Sequence, residues 1–300
     1  MRHGRRPRLP ATPVPRCPMC GSYRRYRYAH LEAGDYVRCR RCATVFADPR
    51  PSDAVLVSRL DEFAPDTTAD TPEALDAMVE GERWKLDLVV PAAPPAARPR
   101  LLDVGCGSGA FVAAAARAGY DAEGHDLAPK VAAAAARRWS RPVHTGDLRA
   151  LATERPGAFD VVTMWDALEH AVSPRDLLDD VARLLAPGGR VFVLSPNSHG
   201  VSARTLHGRW WAFGPNDHLV LFSGDALADA LRDAGLTVDV VTTRSLSPPY
   251  PPEDADPRRP LMRAYNLVAR RDALQNWLAG RGLGDWILAI AYSEPARVSS

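Results

Sequence analysis

The segment Leu101-Leu102-Asp103-Val104-Gly105-Cys106-Gly107-Ser108-Gly109-Ala110-Phe111 constrains this chain more than any other. An apolar run ends at Val104, glycines follow at 105, 107 and 109, and an apolar helical pattern starts at once. Glycine admits the left-handed backbone that so sharp a turn needs and lets a ligand approach the main chain closely. The first turn of the helix behind it presents unpaired N–H groups. Strand, glycine turn and helix in this order predict the carboxyl edge of a parallel sheet, where open α/β folds bind nucleotides.

The glycine spacing alone leaves the ligand class open. Gly105-x-Gly107-x-x-Ala110 also fits a dinucleotide fingerprint with alanine in third place. Asp103 argues against that reading, because a carboxylate at the strand end repels a pyrophosphate and welcomes a cation. The plain alternative is an ordinary strand-to-helix turn.

The flanking sequence narrows the choice. Strand patterns at Leu101–Val104, Ala122–His125, Val143–Thr145, Phe159–Trp165 and Arg190–Leu194 alternate with helical patterns at Ala110–Ala118, Lys130–Trp139 and Pro174–Leu185. Ala186-Pro187-Gly188-Gly189 breaks the last helix. Helix Asp225–Ala234, strand Thr237–Thr243, a helix around Leu261–Leu278 and strand Trp286–Tyr292 follow. Such alternation predicts an α/β fold with a doubly wound, mostly parallel sheet. The predicted organisation is a basic arm and ribbon over 1–48, a linker and helical region over 49–99, and the α/β domain over 100–300. Within the last, 247–283 forms a proline-rich and helical insertion.

Cys17-Pro-Met-Cys20 and Cys39-Arg-Arg-Cys42 carry the spacing of a four-thiolate zinc site, Cys17, Cys20, Cys39 and Cys42 being the ligands. Four thiolates close a tetrahedron and leave no position for catalysis, so the expected role of zinc is structural. A ribbon of this size buries too little core to fold alone, and metal binding supplies what is missing. The fifth cysteine, Cys106, reads as a small packing residue.

Net charge is +2, yet residues 1–50 hold twelve arginines against three acids. A basic end suits nucleic acid or an anionic substrate. The plainer cause is a chain whose only lysines are Lys85 and Lys130, so that nearly every cation is arginine. Tyr23-Arg-Arg-Tyr26-Arg-Tyr28 could stack on bases, but an exposed hairpin of the ribbon is the favoured reading. No apolar run reaches the ~20 residues needed to cross a bilayer. The amino end lacks a secretory signal's apolar core, and paired cysteines suit a reducing compartment. The expected location is cytoplasmic.

Three acids end three successive predicted strands. Asp126 stands where a carboxylate holds a ribose with two free hydroxyls. Asp147 is placed to accept from an adenine amino group. Asp103 completes the set.

Arranged this way, the chain resembles the class I S-adenosylmethionine-dependent methyltransferases over roughly 100–243. Asp103–Gly109 resembles their first motif and Asp126 their ribose-binding acid. Gly146-Asp147-Leu148 resembles their adenine-contacting segment. Phe159-Asp-Val-Val-Thr-Met-Trp165-Asp166-Ala-Leu-Glu169-His170 and Leu185-Ala-Pro-Gly-Gly189 resemble their fourth- and fifth-strand motifs. The resemblance implies a Rossmann-like methyltransferase fold, with Trp286–Tyr292 as its antiparallel strand. It implies S-adenosylmethionine bound by Asp103, Gly105, Cys106, Gly107, Gly109, Asp126, Leu127, Asp147, Leu148, Trp165 and Asp166. The amino end resembles a subgroup in which a four-cysteine ribbon, closing in a phrase like Val45-Phe46-Ala-Asp-Pro49-Arg50-Pro51-Ser52, precedes the catalytic domain. Such ribbons accompany enzymes of secondary metabolites, deoxysugars and surface glycans. The sugar C-methyltransferases among them are usually longer at the carboxyl end.

The sulfonium already activates the methyl group, so the protein mainly aligns donor and acceptor, and a base takes the acceptor proton. His170, after the fourth strand, and His218, in Asn216-Asp217-His218-Leu219, are the candidate bases; a structural imidazole is the alternative for each. Asp166-x-x-Glu169-His170 also resembles the metal cluster of quinone-pathway O-methyltransferases, which implies a possible second divalent ion there. Arg209-Trp210-Trp211-Ala-Phe213 reads either as an acceptor-pocket wall or as a loop packed on the core. The expectation is a methyltransferase acting on a small molecule, at oxygen of a glycosyl or polyketide-type metabolite. An RNA methyltransferase gripping RNA through ribbon and arginines is one alternative. A non-catalytic zinc-ribbon binding module on a donor-binding fold is the other. Neither acceptor nor oligomeric state is legible.

Overall fold

The computed structural model describes residues 11–31, 34–62, 64–68, 70–89, 98–206, 208, 210–214, 217–244 and 272–295. The proline-rich stretch 247–260, most of the helix expected around 261–278, Arg209 and Asn216 lie outside these.

Strands form where apolar runs are buried on both faces, as a helix-covered parallel sheet requires. The main strands are β6 (Arg100–Val104), β7 (Asp121–Asp126), β8 (Val143–Thr145), β9 (Phe159–Trp165), β10 (Leu185–Pro196), β12 (Thr237–Arg244) and β13 (Trp286–Tyr292). Their order in the sheet is β12-β13-β10-β9-β6-β7-β8. Strands β10, β9, β6, β7 and β8 pair in parallel, and β13 runs antiparallel to both β10 and β12. Leu101, Leu102, Val161, Val162 and Val191 through Leu194 form the fully buried centre.

Flanking helices include α4 (Ala110–Arg117), α5 (Pro129–Trp139), α6 (Leu148–Glu154), α7 (Pro174–Leu184) and α9 (Gly224–Asp233). Alanine fills α4, whose residues 110 to 116 are all buried, so the helix lies close against the sheet. Gly109 caps it at φ +75°, and a Cβ there would come within 2.8 Å of Trp139 Cδ1. Trp139 in turn donates its indole N–H to the Ser108 carbonyl at 2.8 Å. Helix α7 ends at Leu184, just before Ala186–Gly189 as expected, but the following strand begins at Leu185 rather than at Arg190 and carries those residues as an irregularity. The register with β9 shifts between Leu185 and Arg190, and the strand continues through both.

A second sheet has the order β11-β4-β3-β2, from β2 (Arg25–Leu31), β3 (Gly34–Cys39), β4 (Val45–Ala47) and β11 (Val220–Leu221). Three of its strands belong to the cysteine ribbon, and the fourth comes from beyond the parallel strands. Phe46 pairs with Val220 and Val45 with Leu221. Trp210, Phe213 and Tyr36 are buried together in this junction, so Trp210 and Phe213 pack on the core. Cys17, Met19, Val37 and Phe46 also join the principal core with Leu102 and Val162.

Between ribbon and parallel sheet run α1 (Asp53–Asp61), capped by Ser52, and α2 (Pro72–Gly81), capped by Thr71 with proline in its first turn. The short α3 (Arg83–Leu86) follows. No helix among the described residues is long and apolar enough to cross a membrane.

Candidate active site

The glycine turn folds over the end of β7. Gly105 and Cys106 donate their N–H groups to the His125 carbonyl, at 2.8 and 3.0 Å. At Gly105, with φ +75°, a Cβ would lie 2.6 Å from Ala167 Cβ, so a side chain is excluded there on two grounds. Cys106 is buried in the core beneath the turn, as expected of a packing residue.

Asp126 ends β7 with both carboxylate oxygens engaged. Oδ2 accepts from the Gly107 N–H and Oδ1 from the Ala128 N–H, each at 3.0 Å. Burial raises its pKa, and the two amides oppose that rise. Asp147 caps α6 by accepting from the Arg149 N–H at 3.0 Å. Both acids line a cavity of about 520 Å³ with Gly105, Leu127, Leu148, Asp166 and His170. Leu56, Val57 and Leu60 of α1 cover its other side.

Asp103 departs from the expected row of acids. It is buried within β6 and accepts from the Thr163 hydroxyl at 2.7 Å, while the cavity wall passes through Val104 and Gly105. Burial pushes its carboxyl up to about 7, against the Thr163 hydrogen bond. Cys106, Gly107, Gly109 and Trp165 likewise are not among the residues that line this cavity. Asp166, one residue past β9, holds a left-handed backbone at φ +50°, a conformation that costs a non-glycine residue free energy and recurs at functional sites. Its carboxylate accepts from Trp286 Nε1 at 3.1 Å.

The two candidate imidazoles meet. The rings of His170 and His218 lie 4.8 Å apart at 64°. His170 Nδ1 donates to the Asp217 carbonyl and His218 Nδ1 to the Ala212 carbonyl, both at 2.8 Å. Those acceptors assign the proton to Nδ1 and leave each Nε2 as a lone-pair nitrogen. Burial pushes His218 down to about 4. Trp211 packs edge-on to His218 and stacks on Trp286 at 5.2 Å.

Glu169 is fully buried; Oε2 accepts from the Ser195 hydroxyl at 2.9 Å and Oε1 has no hydrogen-bond partner among the described residues. The ligand atoms of Glu169, His170 and His218 lie within 4.8 Å of one another. The grouping differs from the expected Asp166, Glu169 and His170, since Asp166 is turned to Trp286. One carboxylate and two imidazoles with carbonyl-anchored Nδ1 atoms suit a divalent transition ion.

Lys85, not expected from the sequence, is not among the cavity-lining residues but acts electrostatically on Asp103 and Asp166. Its ammonium lies 5.7 Å from the ring centroids of both Trp84 and Trp165 and pairs with Glu82 at 2.5 Å. Its charge lowers the pKa of Asp103 and Asp166, against the dominant effect of burial on each. The scarcity of lysine in this arginine-rich chain was the available signal.

The four ribbon thiols converge, with Cys17 and Cys42 Sγ atoms 3.5 Å apart and those of Cys20 and Cys39 also 3.5 Å apart. The Gly21 N–H bonds to the Cys17 carbonyl and the Ala43 N–H to that of Cys39, and Gly21 and Ala43 both adopt positive φ. The knuckles are thus conformational twins. Zinc–sulfur bonds of about 2.3 Å in a tetrahedron place sulfurs at about this spacing, so the donor set fits a zinc ion.

A nucleotide-scale cavity at the carboxyl edge of a doubly wound sheet, lined by acids, defines a donor-binding α/β enzyme. A family model for the methyltransferase domain matches residues 78–241, over half of the chain. The chain is 35% identical over 189 residues to the ubiquinone biosynthesis O-methyltransferase of Paracidovorax citrulli, covering 58% of this chain and 71% of that protein. It is 31% identical over 165 residues to the protein of that name from Thiobacillus denitrificans, covering 51% and 71%. Among solved structures, a SAM-dependent methyltransferase from Thermotoga maritima superposes with a TM-score of 0.52 at 16% identity, over 80% of this chain and 99% of that one. One from Archaeoglobus fulgidus gives a TM-score of 0.50 at 16% identity, over 73% and 94%, and both show the shared fold. The chain belongs to the S-adenosylmethionine-dependent methyltransferases, with a four-cysteine ribbon at its amino end.

Proposed function

We propose that this enzyme methylates an oxygen of a small-molecule acceptor of glycosyl or polyketide type, with an imidazole of the His170–His218 pair as the base. The observation that carries the reading is that pair, one ring lining the cavity and each Nε2 kept as a lone pair. The relatives named O-methyltransferases support oxygen as the atom methylated.

Bound S-adenosylmethionine supplies a methyl group made electrophilic by its sulfonium. Asp126, rigidly held by two amides, accepts from the ribose hydroxyls. Asp147 and Leu148 border the adenine. Asp166, which lines the cavity, would set negative charge near the sulfonium, with buried Asp103 adding its own when ionised. Nε2 would take the acceptor hydroxyl's proton, and the bound donor would supply the methyl group to that oxygen and leave as a neutral thioether. Burial keeps His218 neutral at physiological pH, which leaves its lone pair available at a cost in basicity. The ribbon cysteines hold zinc as a structural ion, and four reduced thiols suit a cytoplasmic enzyme.

The Oε1 of buried Glu169, without a hydrogen-bond partner among the described residues, favours a second reading of the same residues, in which Glu169, His170 and His218 would hold a divalent ion that acidifies the acceptor hydroxyl. Calorimetry with S-adenosylmethionine, then a screen of hydroxylated acceptors with methyl-labelled donor, tests the proposal. Saturable donor binding with label on a hydroxyl supports it. Label on RNA, with turnover falling steeply as salt rises, overturns it. Manganese titrated into the full chain separates base from metal ligand, since only the latter broadens His170 and His218 resonances together.

A further inference from the structure

The peptide bond joining His218 to Leu219 is clamped from two sides. Its N–H, on Leu219, donates to the Glu169 carbonyl at 2.7 Å, in the turn after β9. Its carbonyl, on His218, accepts from the Tyr36 hydroxyl at 2.5 Å. Tyr36 belongs to β3 of the ribbon, is fully buried and packs on Phe213, ring centroids 4.8 Å apart. One residue on, the Ala47 N–H of the ribbon donates to the Leu219 carbonyl at 2.9 Å, where the β4–β11 pairing begins.

We infer that Tyr36 is a positioning residue for His218, so that the cysteine ribbon builds one side of the active site. The inference rests on the reading of His218 as a working residue, base or metal ligand. The two contacts lie at opposite ends of one planar unit and fix its plane; with the His218 N–H also held on the Gly214 carbonyl, both peptides flanking the His218 Cα are anchored, and with them the Cα–Cβ direction. Within the described part of 210–219 no helix or strand does this. Among the described residues of this segment, His218 is tied by its N–H on the Gly214 carbonyl and its Nδ1 on the Ala212 carbonyl, each at 2.8 Å, and by the edge-on Trp211 ring. All three lie within the same loop. A buried phenol needs some acceptor; here the acceptor is the carbonyl of the residue that faces His170.

The test uses the full chain with zinc bound, labelled with ¹⁵N-histidine. In the parent, imidazole proton–nitrogen correlations report His218 as one tautomer, protonated at Nδ1. Tyr36→Phe deletes a single hydroxyl and leaves the ring. The expected result is exchange of His218 between tautomers and a fall in kcat of about three- to tenfold, the worth of one hydrogen bond. The KM for S-adenosylmethionine stays within about twofold of the parent's, because Tyr36 touches none of the donor-side residues. Tyr26→Phe, on the exposed face of the same ribbon, changes neither readout.

An unaltered His218 tautomer in Tyr36→Phe overturns the inference and leaves the choice of base standing. Unaltered turnover in His218→Ala overturns the choice of base and leaves the effect of Tyr36 on the imidazole standing. Should Tyr36→Phe fail to fold, the parent decides. A slowly exchanging Tyr36 hydroxyl proton with a cross-peak to the Leu219 amide supports the inference, and absence of that resonance overturns it.

Discussion

His170 and His218 face each other edge to ring across 4.8 Å, each with its Nδ1 proton given to a backbone carbonyl. The carbonyl that holds His170 belongs to Asp217, the immediate neighbour of His218, so one loop orients both rings. That loop is tied in turn to the cover of the cavity, because Arg59 of α1 binds the Asp217 carboxylate at 3.1 Å.

Removal of either ring therefore separates transfer from binding. His218→Ala or His170→Ala is expected to lower kcat by about 10²-fold or more, the range for loss of a general base. Donor affinity by calorimetry stays near the parent value, since Asp126 and the glycine turn are untouched. A variant with parental kcat removes that imidazole from the mechanism.

Asp126→Ala should give the converse pattern. Loss of the carboxylate would remove the acceptor proposed for the ribose hydroxyls, and it frees the Gly107 and Ala128 amides it now holds. Hydrogen bonds to a charged group each contribute about 1.5–3 kcal/mol, so donor Kd is expected to rise at least about tenfold. Unchanged calorimetric affinity would place the ribose elsewhere.

Much of this site is legible in the sequence because its parts are local. The glycine turn, Asp126 and Asp147 follow from strand–turn–helix periodicity, and β8, β9 and β13 match their apolar runs to the residue. What escapes is set at a distance. Pro187-Gly188-Gly189 reads as the break between helix and strand, yet the strand already starts at Leu185, which pairs with Phe159 before the register shifts and resumes at Arg190. Val220-Leu221 is too short to signal a strand and becomes one only beside β4. Asp103 reads as a strand-end acid facing ligand, but Thr163 on the neighbouring strand keeps it inside the sheet. The partnership of Tyr36 with His218 joins residues that no sequence spacing relates.

The buried Asp103 gives donor binding a pH dependence of definite sign. Its carboxyl is pushed up to about 7 by burial. Below that pH it is mostly protonated and neutral; above, it is an anion beneath the expected sulfonium. A cationic ligand favours the ionised form, so S-adenosylmethionine binding should tighten as pH rises through 7 and level off above it. Binding should also release a proton near pH 6.5, visible as buffer-dependent calorimetric heat. Asp103→Asn should flatten this profile, and a parent profile already flat between pH 6 and 8 would exclude Asp103 from the electrostatics of the site.

The ribbon thiols predict that metal and catalytic loop fail together. Four sulfurs held in two matching knuckles suit one zinc ion, and structural zinc contributes on the order of 10 kcal/mol to folding of its module. The module does not end at Cys42, because β3 carries Tyr36 and β4 pairs with β11 beside His218. Elemental analysis should find one zinc per chain, and Cys39→Ser should lose it. The same variant should melt several degrees lower, and hydrogen exchange should speed up at Leu219 and Val220 as well as in the ribbon. Faster exchange confined to the ribbon would mean that the β4–β11 junction does not transmit the metal's stabilisation. A zinc-free parent with an unchanged melting temperature would assign the four thiols a role other than holding metal.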